Sequence, residues 1–245
     1  MNLHWIRIYA ITKKELRDFR RNRFIVATML LLPLIFVLIP LVGIFSVKGT
    51  VLTHLEQTKL GISLLYMLLI PTLVPAALSA YSIVGERDQG TLEPILITPI
   101  RRDEFLLGKA LAAFLPTIAI AYFVYGVFLI ATGLFAESGV ANVIFQSSRL
   151  IIQLLYTPLL AGWSIWACIA ISSRSSDVRV AQQLSTVASL PPLVVVALFA
   201  TNVITPTPIF ALGFGAILFV INILGWKLVS GIFNGEKMIT GKNNA

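Results

Sequence analysis

The sequence predicts an all-α membrane protein. It reads as six transmembrane helices, an N-terminal interfacial helix, and a short cytoplasmic helix between spans 2 and 3. Three observations carry this reading. Charged residues make up 12% of the chain against 57% hydrophobic, and soluble domains carry about 25% charged. Five long runs contain no charged residue. Lys and Arg gather in alternate connections between those runs, as membrane topology requires.

The first four runs, Phe24–Val47, Leu60–Gly85, Ala110–Ala136 and Leu150–Ser173, hold 24, 26, 27 and 24 residues. Each is near the ~20 residues that cross the hydrocarbon core as one helix. The fifth, Val180–Trp226, holds 47 and is too long for one span. Thr205-Pro206-Thr207-Pro208 breaks it, because proline lacks a donor and disfavours helix in the residue before it. The spans are therefore placed at about 24–47, 61–85, 110–136, 150–173, 181–204 and 208–226, in a single domain over 1–245. Prolines recur inside them: Pro33, Pro40, Pro71, Pro75, Pro116, Pro158, Pro191 and Pro192. They serve as hinges of a moving pathway or reflect ordinary membrane-helix usage.

Residues 1–23 are basic and amphipathic. Trp5, Ile8, Tyr9, Leu16 and Phe19 fall near one helical face, with Arg7, Lys14, Arg17 and Arg21 largely elsewhere. That pattern suits a helix lying in the headgroup layer in contact with lipid; a positive flank that only orients the first span is the plainer alternative. No cleavable signal is expected, since the first apolar run is span-length and no Ala-x-Ala site follows.

Of the 19 Lys and Arg, sixteen fall in the N-terminal segment, the 86–109 connection, the 174–179 connection and the tail at 227–245. Only Lys48, Lys59 and Arg149 fall on the other side. The positive-inside rule then makes both termini cytoplasmic in a multi-pass protein of the plasma or inner membrane. The net charge of +8 is absorbed by these span edges, so nucleic acid is not the expected partner.

The chemistry of catalysis is missing from the sequence. The charge-free runs carry no relay for ion coupling, although backbone carbonyls can still hold sodium. Gly162-Trp163-Ser164-Ile165 begins like a nucleophile motif, but His4 and His54, the two histidines, both lie outside the runs, so Ser164 is read as a packing or helix-bonding serine. Two distant histidines, the single Cys168 and no acidic cluster leave no metal site. Gly108-Lys109 and Gly241-Lys242 are followed by Ala110 and Asn243, not by the Ser or Thr of a phosphate loop. The chain is expected to be no enzyme and to bind no cofactor. Gln153, Asn202 and Asn222 lie in the runs; they line a path or make interhelical hydrogen bonds.

The remaining charge is concentrated at 86–109, where nine of thirty charged residues lie. Such a segment stands in water beside the membrane. Gly90 is a natural stop for the second span. Thr91 can cap a short helix with Glu93 in its first turn and Pro94 still tolerated. Leu92, Ile95 and Leu96 then share one face. Thr98 can cap again with Pro99 at the first helical position, and Asp103 and Glu104 follow in the early turns of a helix leading into the third span. The apolar knob with its charged rim suits docking into a groove of a soluble protein, or lies on the bilayer surface.

The run Glu86-Arg87-x-x-Gly90-Thr91-Leu92-Glu93-x-x-Leu96-x-Thr98-Pro99-Ile100-x-Arg102-x-Glu104-x-x-x-Gly108-Lys109 resembles the signature of type-2 ABC transporter permeases, the six-span membrane subunits of exporters. Lys14-Glu15-Leu16-Arg17 resembles that family's N-terminal connecting helix. Ser172-Ser173-Arg174 with Asp177-x-Arg179-x-Ala181-Gln182-Gln183 resembles its second cytoplasmic loop. Phe233-Asn234-Gly235-Glu236-Lys237 resembles its C-terminal end, with Asn234-Gly235 in place of the more usual basic pair.

The resemblance implies a mechanism. Two permease subunits, identical or paralogous, would form the pathway, and two cytoplasmic ABC ATPase subunits would bind beneath them, carrying the ATP and Mg. Thr91–Ile97 would be the coupling helix in a cleft of the ATPase, and the Trp5–Arg23 helix a second contact. Partner-binding residues would be Glu86, Arg87, Gly90, Thr91, Leu92, Glu93, Ile95, Leu96 and Pro99, with Trp5, Lys14, Glu15 and Arg17 on the interfacial helix. Glu86 and Arg87 form ion pairs that fix the loop or are solvated. A rival reading is a membrane scaffold that recruits a cytoplasmic partner without transport. The family handles ions, drugs, peptides, lipids and glycans, and nothing in the sequence selects among them.

Overall fold

The structure is a computed structural model that describes residues 4–47, 52–88, 100–175, 177–205 and 207–232. Helix α1 runs Trp5–Arg21 and α2 runs Arg23–Ser46. One residue turns the corner between them. Asn22 is extended (φ −87°, ψ 108°), and its Oδ1 accepts the Phe24 and Ile25 N–H groups at 3.0 and 3.3 Å. An asparagine N-cap of this kind satisfies donors the first turn cannot.

Helix α3 runs His54–Asp88. A capping box opens it: Glu56 Oε2 accepts from the Thr53 N–H at 2.8 Å while Thr53 Oγ1 accepts from the Glu56 N–H at 3.4 Å. Helix α4 runs Arg102–Phe135, α5 Ser138–Ile144 and α6 Ser147–Ser172. Helix α7, Val178–Ser189, is capped by Asp177, whose Oδ1 accepts from Arg179 and Val180. Helix α8 runs Pro191–Ala200 and α9 runs Pro208–Ile232.

Five of these helices are each long and apolar enough to cross a membrane, and the bent α7–α8 pair taken as one span makes six. Three boundaries differ from the sequence reading. Helix α3 starts at His54, a turn and a half before the charge-free run, because Thr53 and Glu56 nucleate it. The fifth span ends at Ala200 rather than 204 and is bent by 40° at Leu190, where Pro191 and Pro192 interrupt the hydrogen-bond ladder. Helix α4 begins at Arg102 with Arg101 as N-cap, so Pro99 does not open that helix. The short α5 was not foreseen.

Helix α3 is the most buried of the spans and packs on α2, α4, α6, α7 and α8. At one end of the bundle the core joins Ile11, Phe19 and Ile25 to Leu78, Phe105, Ile169 and Val229. At the other it joins Ile44, Leu60 and Leu64 to Phe128 and Ile144. Helix α1, the last turns of α3, α6 and α9, and the first of α4 therefore share one end. Its basic residues include Lys13, Arg17, Arg20, Arg101, Arg174 and Lys227, while Lys59 and Arg149 stand at the other. Outward faces of α2 and α9 are apolar, with Leu30, Leu34, Phe45, Ile209, Phe219 and Ile223 exposed. Faces of that kind match hydrocarbon.

Candidate functional site

The site grows from the stripe Ile8, Ile11, Thr12, Glu15 and Phe19 on α1, all buried. Their spacing puts them on one helical face. That face lies on the first turns of α4, and the close approach is made at Gly108. A Cβ there would stand 2.7 Å from Ile11 Cγ2 and 2.8 Å from Ile11 Cβ, so the missing side chain is the space α1 occupies. Thr12 Oγ1 sits over the same spot, 2.9 Å from the Ile8 carbonyl and 3.1 Å from the Gly108 carbonyl.

Two carboxylates lock the crossing. Lys109 Nζ donates to Glu15 Oε1 at 2.9 Å, with residue exposures of 2% and 3%. Lys14 Nζ reaches the same oxygen at 3.6 Å and Asp18 Oδ2 at 3.7 Å. The Lys109 ammonium also lies 5.0 Å over the Phe105 ring. One turn earlier, the fully buried Glu104 accepts the His4 N–H at 2.9 Å and the Arg101 N–H at 3.3 Å, with Arg7 Nη1 at 3.5 Å. A single carboxylate thus caps the starts of both α1 and α4, where the helix dipoles favour negative charge.

This corrects the amphipathic reading of α1. Ile8 and Phe19 are on the buried face, but Trp5 and Tyr9 are 66% and 65% exposed and Leu16 is exposed as well. Lys14 and Arg17 are exposed, whereas Glu15 is the centre of the protein-facing stripe. Helix α1 has three faces: one on α4, one exposed and aromatic through Trp5 and Tyr9, and one basic.

Among the other anticipated residues, Glu86 and Arg87 lie in the last turn of α3. Gly90, Thr91, Leu92, Glu93, Ile95, Leu96 and Pro99, and with them the anticipated 91–97 helix, lie outside the described residues. The frame around that stretch is described. Val84 is buried against Ala181 with Val178 packed beside them, and Ile100 packs against the core cluster that holds Phe105 and Leu106. Val84 on one side of the stretch thus lies beside the start of α7, and Ile100 on the other lies at the α1–α4 joint.

Glu104 was read from the sequence as an early-turn residue, Gly108-Lys109 as a failed phosphate loop, and all three as part of the family signature; the structure makes them the floor of the joint. A signal was available, since Glu104 and Gly108 are four apart on one face and the stripe on α1 carries a carboxylate in an apolar row. Ser164 donates to the Thr72 carbonyl, a helix-bonding role. Asn222 Nδ2 donates to the Leu159 and Leu218 carbonyls at 3.1 and 2.8 Å, tying α9 to α6. The arrangement is mechanical: ion pairs, caps and a glycine contact that make α1 and α4 one body.

Comparison with known proteins agrees with this architecture. Residues 9–234 match the family model described as ABC-2 family transporter protein. A stretch of 105 residues is 37% identical to a probable ABC transporter permease protein NosY of Pseudomonas aeruginosa, covering 42% of this chain and 38% of that one. A stretch of 103 residues is 36% identical to the probable NosY permease of Stutzerimonas stutzeri, covering 42% of this chain and 37% of that one. The matched stretch thus spans less than two-fifths of the length of these curated relatives. With a family match over nearly its whole length, the chain belongs to the ABC-2 family of transporter proteins, the membrane permeases of ATP-binding-cassette transporters.

Proposed function

We propose that the chain is the permease subunit of an ATP-driven exporter, paired with a second copy or a paralogue and energised by separate cytoplasmic ABC ATPase subunits that bind the ATP and Mg. The observation that carries this reading is the α1–α4 joint. Glu15–Lys109, Glu104 and Gly108 fix α1 rigidly to the helix that follows the 86–101 stretch. A push on that stretch or on α1 then moves α4 as a body. In this reading both termini and the joint face the cytoplasm, following the distribution of Lys and Arg. Leu92, Ile95 and Leu96 enter a cleft of the ATPase, and Glu86 and Arg87 stand at the neck of the stretch. The exposed Trp5 and Tyr9 sit at the lipid headgroups, as interfacial aromatics do.

The test is co-purification with a cytoplasmic ABC ATPase from the source cells, followed by ATP-dependent export in vesicles. Leu92→Asp is expected to keep the chain in the membrane and to uncouple ATP hydrolysis from export. Normal export by Leu92→Asp removes the coupling assignment. Failure of any ATPase to associate favours the scaffold reading.

A further inference from the structure

Arg149 counts in the sequence as a loop charge outside the spans. The structure instead draws it into the first turn of α6, where it is 7% exposed. Its Nε is buried with no hydrogen-bond partner, and among the described residues it forms no ion pair. A guanidinium stays charged at any physiological pH, and a buried charge without a partner is costly. The donor left unanswered by the protein is the buried Nε.

The surroundings are a cavity of about 30 Å³ between α3, α6 and α8, at the end of the bundle opposite α1. Leucines of α3 and Phe199 of α8 form its apolar walls. Its polar groups are Arg149 and, one helical turn on, the 3% exposed Gln153. Gly61 and Ala200 close it. A side chain at Gly61 would collide with the Ala200 carbonyl, so the C-terminus of α8 is brought right against α3. The negative end of α8 offsets part of the arginine's charge but supplies no partner to the buried Nε.

We propose that this cleft is a binding site for an oxyanion, a phosphate or carboxylate group, held by the Arg149 fork and the Gln153 amide. Arg–oxyanion pairing is bidentate and charge-assisted, and the cavity admits a few heavy atoms, as a terminal anionic group requires. The group comes either from a soluble anion or from a lipid headgroup. Its role as cargo recognition rests on the transport reading above; the binding itself does not.

The experiment uses the full chain purified in neutral detergent and measures thermal stabilisation and affinity with three probes: inorganic phosphate, dihexanoyl phosphatidylglycerol, and a neutral diacylglycerol of the same chain length. Stabilisation by phosphate identifies a soluble anion. Stabilisation by the anionic lipid alone identifies a headgroup. In either case Arg149→Gln should weaken binding by about 10- to 100-fold, and Gln153→Leu by about 5-fold. Arg149→Lys should retain part of it. If Arg149→Gln does not fold, Gln153→Leu and Arg149→Lys carry the comparison. No stabilisation by either anionic probe, or equal stabilisation by the neutral lipid, overturns the site and leaves Arg149 as a charge held by α8 alone. ATPase association is read on the same preparations. Its loss with anion binding intact counts against the transport reading only, and the converse counts against this site only.

Discussion

Lys109 on α4 and Glu15 on α1 meet at 2.9 Å across 94 residues of sequence, with both side chains withdrawn from solvent. The pair joins the helix that lies across the bundle to a helix that runs through it. Removing one partner strands the other charge, and that asymmetry is measurable.

Glu15→Gln or Lys109→Met should each destabilise the chain by about 3–5 kcal/mol, the usual cost of orphaning a buried charge. Glu15→Leu with Lys109→Leu should cost much less than the sum. Denaturant unfolding of the purified chain in detergent gives the cycle. Additive costs would show that the two residues do not act on each other.

Gly108→Ala should push α1 off α4, because the new methyl meets Ile11 Cγ2 and Cβ. The expected loss is about 1–3 kcal/mol, typical of overpacking. Adding Ile11→Ala removes one of the two close atoms and should recover part of it. Limited proteolysis within residues 4–22 reports the same change, with faster cleavage in Gly108→Ala than in the double variant.

Gly61→Ala should be worse than Gly108→Ala. At Gly108 the new methyl meets Ile11 Cγ2 and Cβ at 2.7 and 2.8 Å, whereas at Gly61 it meets the backbone carbonyl oxygen of Ala200, which is closer still. Ranking the two melting temperatures tests this; a Gly61→Ala protein as stable as the original would mean that α8 does not end against α3.

Ser138→Cys should react with a membrane-impermeant maleimide added to intact cells, since Ser138 opens α5 at the end opposite the α1–α4 joint. Cys168 is fully buried and should stay unmodified under the same conditions. Labelling of Ser138→Cys only after the membrane is opened would invert the proposed orientation.

The spans were legible because apolar run length and charge distribution are one-dimensional properties. The break before Pro208 followed directly from Thr205-Pro206-Thr207-Pro208. The joint was harder to read. Glu15 sits among Lys13, Lys14, Arg17 and Arg20, where a carboxylate looks like one more solvated charge. Its burial depends on Lys109, and nothing local in the sequence pairs them. Trp5 and Tyr9 misled in the opposite direction. They lie just beside the Ile8–Phe19 stripe on the helical wheel, so grouping them with it as one lipid-facing side rotated the apolar face away from Glu15. Arg149 was lost for a similar reason. A charge two residues into a helix reads as a flank until α3 and α8 close around it.

Helix α3 holds 35 residues, about 52 Å at 1.5 Å per residue, far more than the ~30 Å hydrocarbon thickness. It is a lever longer than the wall it passes through. Near its midpoint Pro71 and Pro75 remove two rungs of the helical ladder, and there Thr72 bonds back to the Leu68 carbonyl at 2.8 Å while Ser164 of α6 grips the Thr72 carbonyl. The serine that opens like a nucleophile motif thus ties α6 to α3 where the prolines break the ladder. The Asp88 and Gly61 arms lie on opposite sides of that bond, and Gly61 is where α8 brings its last carbonyl.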